Sequence, residues 1–142
     1  MATLTDEVQI DCPSAIAFDL LVDLRNELRW NANVSEVELV SGEPIGIGSR
    51  FVVEDKRGEH RSTITAFERP GRVDFATTAK EMDLKIKYSF TESDGTTTVV
   101  GTFEAKPRGV MKALLPLLKP LIKRDLAKQH QSFKNLCESQ TG

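Results

Sequence analysis

Few side chains in this sequence could carry chemistry, and they are widely spaced. The two histidines, His60 and His130, are seventy residues apart, and Tyr88 is the sole tyrosine. With an inward carboxylate such as Asp55 or Glu54, they could serve as general acid and base in a dry pocket. The more ordinary roles are a satisfied helix residue for His130 and a core aromatic for Tyr88. His130 and Tyr88 are therefore the catalytic candidates of a chain that otherwise favours binding over catalysis.

Motifs for other chemistries are absent from the sequence. It has no HExxH, GxSxG or GxxxxGK[ST], and Gly46-Ile47-Gly48 lacks the rest of a dinucleotide fingerprint. Cys12 and Cys137 lie near opposite ends without CxxC or Cys/His spacing, which favours two buried free thiols. We expect no metal and no cofactor.

The composition is that of a globular protein. The chain has 142 residues, of which 28% are charged and 39% hydrophobic, so one domain over residues 1–142 is the default. The N-terminal MATLTDEVQIDCPS is acidic where a secretory signal is basic, and no window has the roughly eighteen apolar residues of a membrane span. We therefore expect a cytoplasmic protein.

The charge is unevenly distributed. Residues 106–134 hold eight basic side chains and one acidic side chain, whereas the rest of the chain is acidic. This asymmetry indicates either an anionic ligand or surface near the last segment, or a solvated helix face that offsets an acidic sheet. Nucleic acid is not expected, because aromatic residues are not interleaved with the basic ones.

Hydrophobic periodicity predicts the elements that position these residues. Residues 3–11 alternate between apolar and polar as in a strand. A helix is predicted to begin at Pro13, because apolar residues recur after it at three- and four-residue spacing. A second short helix is predicted over residues 25–31, where the apolar spacing continues through Leu28. Six further strands joined by short turns follow between residues 34 and 104. Leu84, Ile86, Tyr88 and Phe90 alternate with polar residues in the clearest of them. The order predicts an antiparallel meander.

A long amphipathic helix is predicted at the end of the chain. Apolar residues recur on a helical stripe from Met111 to Leu136. Because a proline disrupts a helix interior, Pro116 and Pro120 predict either a kink or a helix that begins near residue 117.

Several sequence segments resemble the START-like superfamily. The segment Ile10–Asp23 is similar to the opening of that family, Trp30-Asn31 to the tryptophan that follows it, and Gly46–Phe51 and Ile64–Val73 to its glycine turn and next turn. The resemblance spans about Thr3 to Glu138. It implies an α+β helix-grip fold, in which a curved antiparallel sheet of about seven strands, with two short helices after strand 1, wraps a long C-terminal helix. Members include pollen-allergen-like proteins, polyketide cyclase/dehydrase-like proteins and lipid-transfer domains, so the resemblance implies little about chemistry.

A curved sheet cannot close fully on one helix, so we expect a cavity between them. The expected lining from the sheet is Phe51, Val53, Ser62, Ile64, Val73, Phe75, Leu84, Ile86, Tyr88, Val99 and Gly101; from the helix it is Leu114, Leu118, Leu121, Leu126 and His130, and Trp30 completes it. Each of these residues could equally be packed core, but as a set they favour an apolar pocket. Tyr88, His130 and His60 are the polar groups best placed to orient a ligand.

Three functions remain open from the sequence. The leading one is a carrier or sensor of a lipid, quinone or polyketide-like molecule, as a monomer or homodimer. The second is a cyclase or dehydratase that uses acid–base residues in the same cavity. The third is a protein-interaction or membrane-surface module in which basic residues around the leucine-rich helix start touch anionic lipid. Those basic residues are Lys112, Lys119, Lys123 and Arg124. The ordinary role of a leucine-rich helix start beside an open sheet is the lid or core of the fold.

Overall fold

Seven strands and three α-helices account for most of residues 2–140, the part of the chain that the computed structural model describes. The strands are β1 (Ala2–Ile10), β2 (Val34–Leu39), β3 (Arg50–Asp55), β4 (Gly58–Glu68), β5 (Arg72–Ala79), β6 (Met82–Ser93) and β7 (Thr96–Pro107). The helices are α1 (Ser14–Val22), α2 (Glu27–Trp30) and α3 (Met111–Ser139), and a 3₁₀ turn at Leu24–Asn26 separates the first two.

The strands form one antiparallel sheet in the order β1-β7-β6-β5-β4-β3-β2. Consecutive strands from β2 to β7 pair as a meander, and β1 adds to the edge beside β7. Register shifts at Val34/Glu36 in β2 and at Ile64/Ala66 in β4 mark bulges, which bend a strand and increase its twist. The sheet therefore curves and presents a concave face to the helices.

Aromatic residues fill the core between this concave face, α1 and the end of α3. Phe18 of α1 stacks edge-on against Phe67 and Phe90 at centroid distances of 5.2 and 5.4 Å. Trp30 of α2 packs in the same way on Phe133 of α3, at 5.2 Å. These contacts close one end of the concave face.

The two halves of α3 are held differently. The C-terminal half buries Phe133 and Cys137 completely in the main core, and Lys134 Nζ donates to the Gln9 carbonyl of β1. The N-terminal half rests on a separate small cluster in which Met111 and Leu115 meet Met82 and Ala105. The middle of the helix thus spans the gap between two packed regions.

The helix is continuous from residue 111 through both prolines, so a start near residue 117 is wrong. Pro116 and Pro120 are exposed, as is Lys112, whose carbonyl loses the amide partner that Pro116 would have supplied. Water can take the hydrogen bonds that the prolines remove, and the buried stripe on the other side remains intact.

The expected helix-grip architecture is confirmed, with seven strands, two short helices after β1 and the long final helix. No helix within residues 2–140 has the length and apolarity needed to cross a membrane.

Candidate functional site

A cavity of about 570 Å³ lies between the concave face of the sheet and the middle of α3. Its floor is formed by β4, β5 and β6, its roof by α3 from Leu118 to Gln129, and its inner end by α1 and α2. The β3–β4 hairpin and the β5–β6 turn border it toward solvent, where Lys56, Arg57 and Lys80 are part of the lining. This volume is in the range of small-molecule sites.

The cavity floor is mainly apolar. Phe75, Leu84 and Ile86 line it from β5 and β6. Ser62 and Thr77 also face it, but their hydroxyls satisfy each other at 2.7 Å in a buried hydrogen bond. An apolar molecule could therefore lie on this floor without stripping a polar group of its partner.

Three polar side chains form a chain behind the cavity wall. The Tyr88 hydroxyl, at the wall, is 2.8 Å from His130 Nε2, and His130 Nδ1 is 2.6 Å from Asp6 Oδ2. A carboxylate only accepts, so the proton on Nδ1 is directed to Asp6, and Nε2 of the neutral ring accepts from the hydroxyl. Tyr88 is thereby fixed with oxygen lone pairs available to a ligand.

Burial keeps the Tyr88 and His130 side chains neutral. Desolvation raises the pKa of Tyr88 well above its ordinary value, and the nearby Glu27 and Asp6 carboxylates raise it further. Desolvation also lowers the pKa of His130, although the hydrogen bond to Asp6 opposes this change. A neutral phenol can act as a hydrogen-bond partner for an oxygen on a ligand.

Gly101 of β7 makes room for the Tyr88 ring. The two residues are opposite each other in the β6–β7 register. A Cβ on Gly101 would lie 2.7 Å from Tyr88 Cε1, closer than carbon atoms approach, and at a tight 3.1 Å from Phe103 Cε1. The space that the glycine leaves is therefore filled by the ring of Tyr88 and is not part of the cavity.

Glu27 of α2 is the second polar group at the inner end. It lines the cavity, and desolvation raises its pKa to about 7; the nearby charge of Asp55 adds to the shift, and a hydrogen bond with the Asn31 side chain opposes it. A carboxyl group that titrates near neutral pH can donate or accept a proton there.

Trp30 brings one further donor to this end. The Trp30 side chain is buried and lines the cavity. Its indole Nε1 has no hydrogen-bond partner among residues 2–140. Buried indole N–H groups normally donate to an acceptor, so within the described residues the Trp30 N–H is a free hydrogen-bond donor at the inner end of the cavity.

The outer end of the cavity holds a weaker pair. His60 Nδ1 is 3.5 Å from Asp55 Oδ2, and both residues line the cavity. Burial lowers the pKa of His60, while Asp55 opposes that shift. Glu54, the other carboxylate considered as inward, is instead exposed.

The structure brings many of the expected lining residues together at the cavity. These are Trp30, Ser62, Phe75, Leu84, Ile86, Tyr88, Leu118, Leu121 and Leu126.

The other expected lining residues lie elsewhere. Phe51, Val53, Ile64, Val73 and Val99 are packed in the main core, which also contains residues of α1 and of the C-terminal half of α3. Gly101 lies under the Tyr88 ring and His130 behind its hydroxyl.

Leu114 is exposed on the outer side of α3. The buried stripe of this half of the helix passes through Met111 and Leu115, and the partly buried Leu118 and Ile122 continue it. Leu114 therefore lies beside the buried stripe, on the flank of the helix that it shares with Leu121.

Two residues of the inner end, Asp6 and Glu27, were missed by sequence reasoning. Asp6 has the same parity in β1 as the inward-facing Leu4, Val8 and Ile10, and a charged residue at such a position is a signal for a buried polar partner. Glu27 is three residues from both Leu24 and Trp30, which places it on the buried face of the second helical segment.

Comparison with known proteins gives a family match over nearly the whole chain. Residues 1–138 match the family model described as polyketide cyclase / dehydrase and lipid transport. No curated protein matches the sequence.

Solved structures share the fold at low sequence identity. TTHA0849 from Thermus thermophilus superposes with a TM-score of 0.81 at 16% identity, covering 99% of this chain and 100% of that one. The ZhuI aromatase/cyclase from Streptomyces sp. R1128 gives 0.78 at 12% identity, covering 99% and 96%. Ara h 8.0201 gives 0.71 at 14% identity, covering 97% and 98%. At these identities the likeness shows the fold alone.

Proposed function

Because this chain belongs to the polyketide cyclase / dehydrase and lipid transport family, we propose that it is a cytoplasmic carrier or sensor that binds a hydrophobic small molecule beneath α3. The observation that carries the proposal is the cavity of about 570 Å³, which has an apolar floor and is open between α3 and two hairpin turns. A folded chain has no structural need for such a hollow, because packed interiors leave few voids larger than a water molecule.

The residues that line the cavity indicate what kind of ligand would fit. Phe75, Leu84 and Ile86 suit a flat or chain-like apolar body, while Tyr88 and Glu27 offer hydrogen bonds to one oxygen at the inner end. Lipids, quinones and polyketide-like molecules have this distribution of apolar surface and oxygen. We infer a ligand whose oxygen-bearing end enters the cavity first.

The expected affinity is modest. Burying about 300 Å² of apolar ligand surface at about 25 cal/mol per Å² yields about 7 kcal/mol before the costs of association. Binding in the micromolar range or weaker follows.

Native mass spectrometry tests the proposal directly. Protein purified from its host under non-denaturing conditions should carry a small apolar molecule that is released by organic solvent. Protein that arrives empty and takes up no apolar probe would contradict a binding function.

A second candidate function is acid–base catalysis in the same cavity. It is favoured by Glu27, whose pKa of about 7 suits proton transfer in either direction, and by Tyr88, whose hydroxyl oxygen, held by His130, can accept a hydrogen bond from a substrate hydroxyl group. In a dehydration, the Glu27 carboxylate would take a proton from carbon and pass it to the departing hydroxyl group, so that the C–O bond breaks, water leaves and a C=C bond forms.

A turnover assay distinguishes a carrier from an enzyme. An enzyme would convert an aromatic polyketide-like substrate and would lose that activity in Glu27→Gln, Tyr88→Phe and His130→Ala. A carrier would bind the same molecule and return it unchanged, and equal turnover in wild type and variants would exclude catalysis by these residues.

A further inference from the structure

The outer face of the first half of α3 is apolar without a covering partner in the described structure. Val110, Leu114, Leu117 and Leu121 are spaced by four, three and four residues, so they share one helix face. Their exposed fractions are 76%, 43%, 75% and 59%. Single exposed leucines are common on protein surfaces, but a contiguous apolar row marks an interaction site. We call these four residues the leucine stripe.

Basic residues share α3 with the leucine stripe, two of them on its own face and three, Lys112, Lys119 and Lys123, on the other side of the helix. Between residues 105 and 124 there are six lysines and arginines and no acid. Arg124 and Lys128 follow Leu121 by three and seven residues, so they extend the same face. Within residues 2–140, neither makes an ion pair, nor do Lys112, Lys119 and Lys123. The surface therefore carries a positive field that the protein itself leaves without an ionic partner.

Asp125, the one acidic residue between positions 105 and 128, offsets one of the seven basic charges in that range. Asp125 Oδ2 accepts hydrogen bonds from Asn33 Nδ2 at 2.7 Å and from Gln129 Nε2 at 3.0 Å. It is thus engaged with the segment after α2 and with its own helix.

The leucine stripe borders the cavity opening. Leu121 belongs to both, because it lines the cavity and is also more than half exposed. Lys56 and Arg57 of the β3–β4 hairpin and Lys80 of the β5–β6 turn line the same opening. A flat anionic surface seated on the stripe would cover the opening as well.

We propose that the leucine stripe docks on an anionic phospholipid bilayer, with its apolar side chains among the acyl chains and the neighbouring basic residues at the headgroups. Burial of exposed leucines and attraction between lysines and anionic lipids are the two terms that drive interfacial binding. The proposal rests on the proposed function, because a ligand that passes between lipid and cavity at this edge avoids water. A second copy is a poor occupant, since it would bring the same basic residues, Arg124 and Lys128, and no anionic partner for them.

Vesicle flotation tests the proposal on the full chain. We expect binding to vesicles of phosphatidylcholine mixed with phosphatidylglycerol and little binding to phosphatidylcholine alone. Raising the salt from about 0.1 M to about 1 M shortens the screening length from about 10 Å to about 3 Å and should release the protein. Equal binding to both vesicles, or none, would overturn the proposal.

Matched variants assign the contact to this face. Leu117→Ser removes an apolar side chain, and the double variant Arg124→Glu/Lys128→Glu reverses two charges; none of these residues lines the cavity. Each change should weaken vesicle binding by at least about fivefold, the effect of roughly one basic residue near an anionic surface. The controls are Ile47→Ser, which is 73% exposed in the β2–β3 loop, and Lys85→Glu/Lys87→Glu on β6. If the control variants lose vesicle binding to the same extent, binding through the leucine stripe is contradicted.

A second readout separates this proposal from the proposed function. Without vesicles, the variants should bind a neutral apolar probe as the wild type does. Unchanged probe binding with no vesicle binding overturns the docking site and leaves the cavity function intact; vesicle binding without probe binding does the reverse. A dimer that Leu117→Ser dissociates, with no vesicle binding, would assign the stripe to a second copy.

Discussion

At the scale of residues, the inner end of the cavity depends on groups whose protonation is set by burial. His130 is 2% exposed and hydrogen-bonded on both ring nitrogens. Tyr88 shows one side of its ring to the cavity and binds His130 through its hydroxyl. Glu27 differs because no cation compensates its burial, and its pKa rises to about 7 as a result.

Glu27 therefore makes the stability of the protein depend on pH. The folded pKa of about 7 is above the unfolded value of 4.5, so the folded state binds the extra proton between these values. The free energy of unfolding should fall as pH rises from about 4.5 to about 7, by at most about 3 kcal/mol. Glu27→Gln should remove that loss and be more stable than wild type at pH 8, as measured by urea unfolding.

Glu54→Gln is the matched control, since Glu54 is exposed. It should keep the pH profile of the wild type. A Glu27→Gln protein that retains the same decline with pH would show that Glu27 does not titrate near 7.

Sequence reasoning at this scale identified Tyr88 and His130 but not what connects them. The hydrogen bond joins residues 42 positions apart, and Asp6 is 124 positions from His130. Spacing along the chain carries no information at such separations. Leu28 shows the opposite problem, because it continued the apolar spacing of the second helix yet is 50% exposed, whereas Glu27 is partly buried and lines the cavity.

At the scale of elements, period-two alternation predicted the faces of β6 well. Leu84, Ile86 and Tyr88 face inward, and Lys85 and Lys87 are exposed. Alternation predicts which face of the sheet a side chain occupies, but it does not predict what packs against that side chain. Whether an inward residue meets a helix or a void depends on where α3 crosses, which explains why Val73 is packed core and Phe75 lines the cavity.

The β6–β7 pair supplies a prediction about a backbone position. Gly101→Ala should force the Tyr88 ring away, since the new Cβ would lie 2.7 Å from Cε1. Because overpacking of this kind commonly costs about 1–3 kcal/mol, the midpoint of unfolding should fall and the Tyr88–His130 hydrogen bond should be disrupted.

Gly71→Ala provides the comparison. A Cβ at Gly71 would find its nearest atom 3.9 Å away, an ordinary contact, so this variant should stay within about 0.5 kcal/mol of wild type. Equal stability of the two variants in chemical denaturation would refute the close packing of Tyr88 on Gly101.

At the scale of the whole molecule, the order of elements along the chain was enough to predict the fold. The sheet order follows the chain order from β2 to β7, so each strand finds its partner through a short turn that the sequence marks. The size of the hollow could not be predicted in this way. It results from α3 being anchored at Phe133 and Cys137 at one end and at Met111 and Leu115 at the other, with its middle held off the sheet.

The same anchoring explains why the charged half of α3 is available for contact. Its buried stripe is narrow, and the remaining faces carry leucines and basic residues. The uneven charge seen in the sequence thus has a structural location beside the cavity opening.

The measurement that tests the central claim most directly is titration with the neutral fluorescent probe N-phenyl-1-naphthylamine of the wild type, Ile86→Trp and Lys85→Trp. Ile86 lines the cavity floor, and Lys85 is on the opposite face of the same strand. The account predicts micromolar binding to wild type and Lys85→Trp, and at least about tenfold weaker binding to a folded Ile86→Trp, whose indole projects from the floor into the cavity. No binding to wild type, or equal binding to all three proteins, would contradict it.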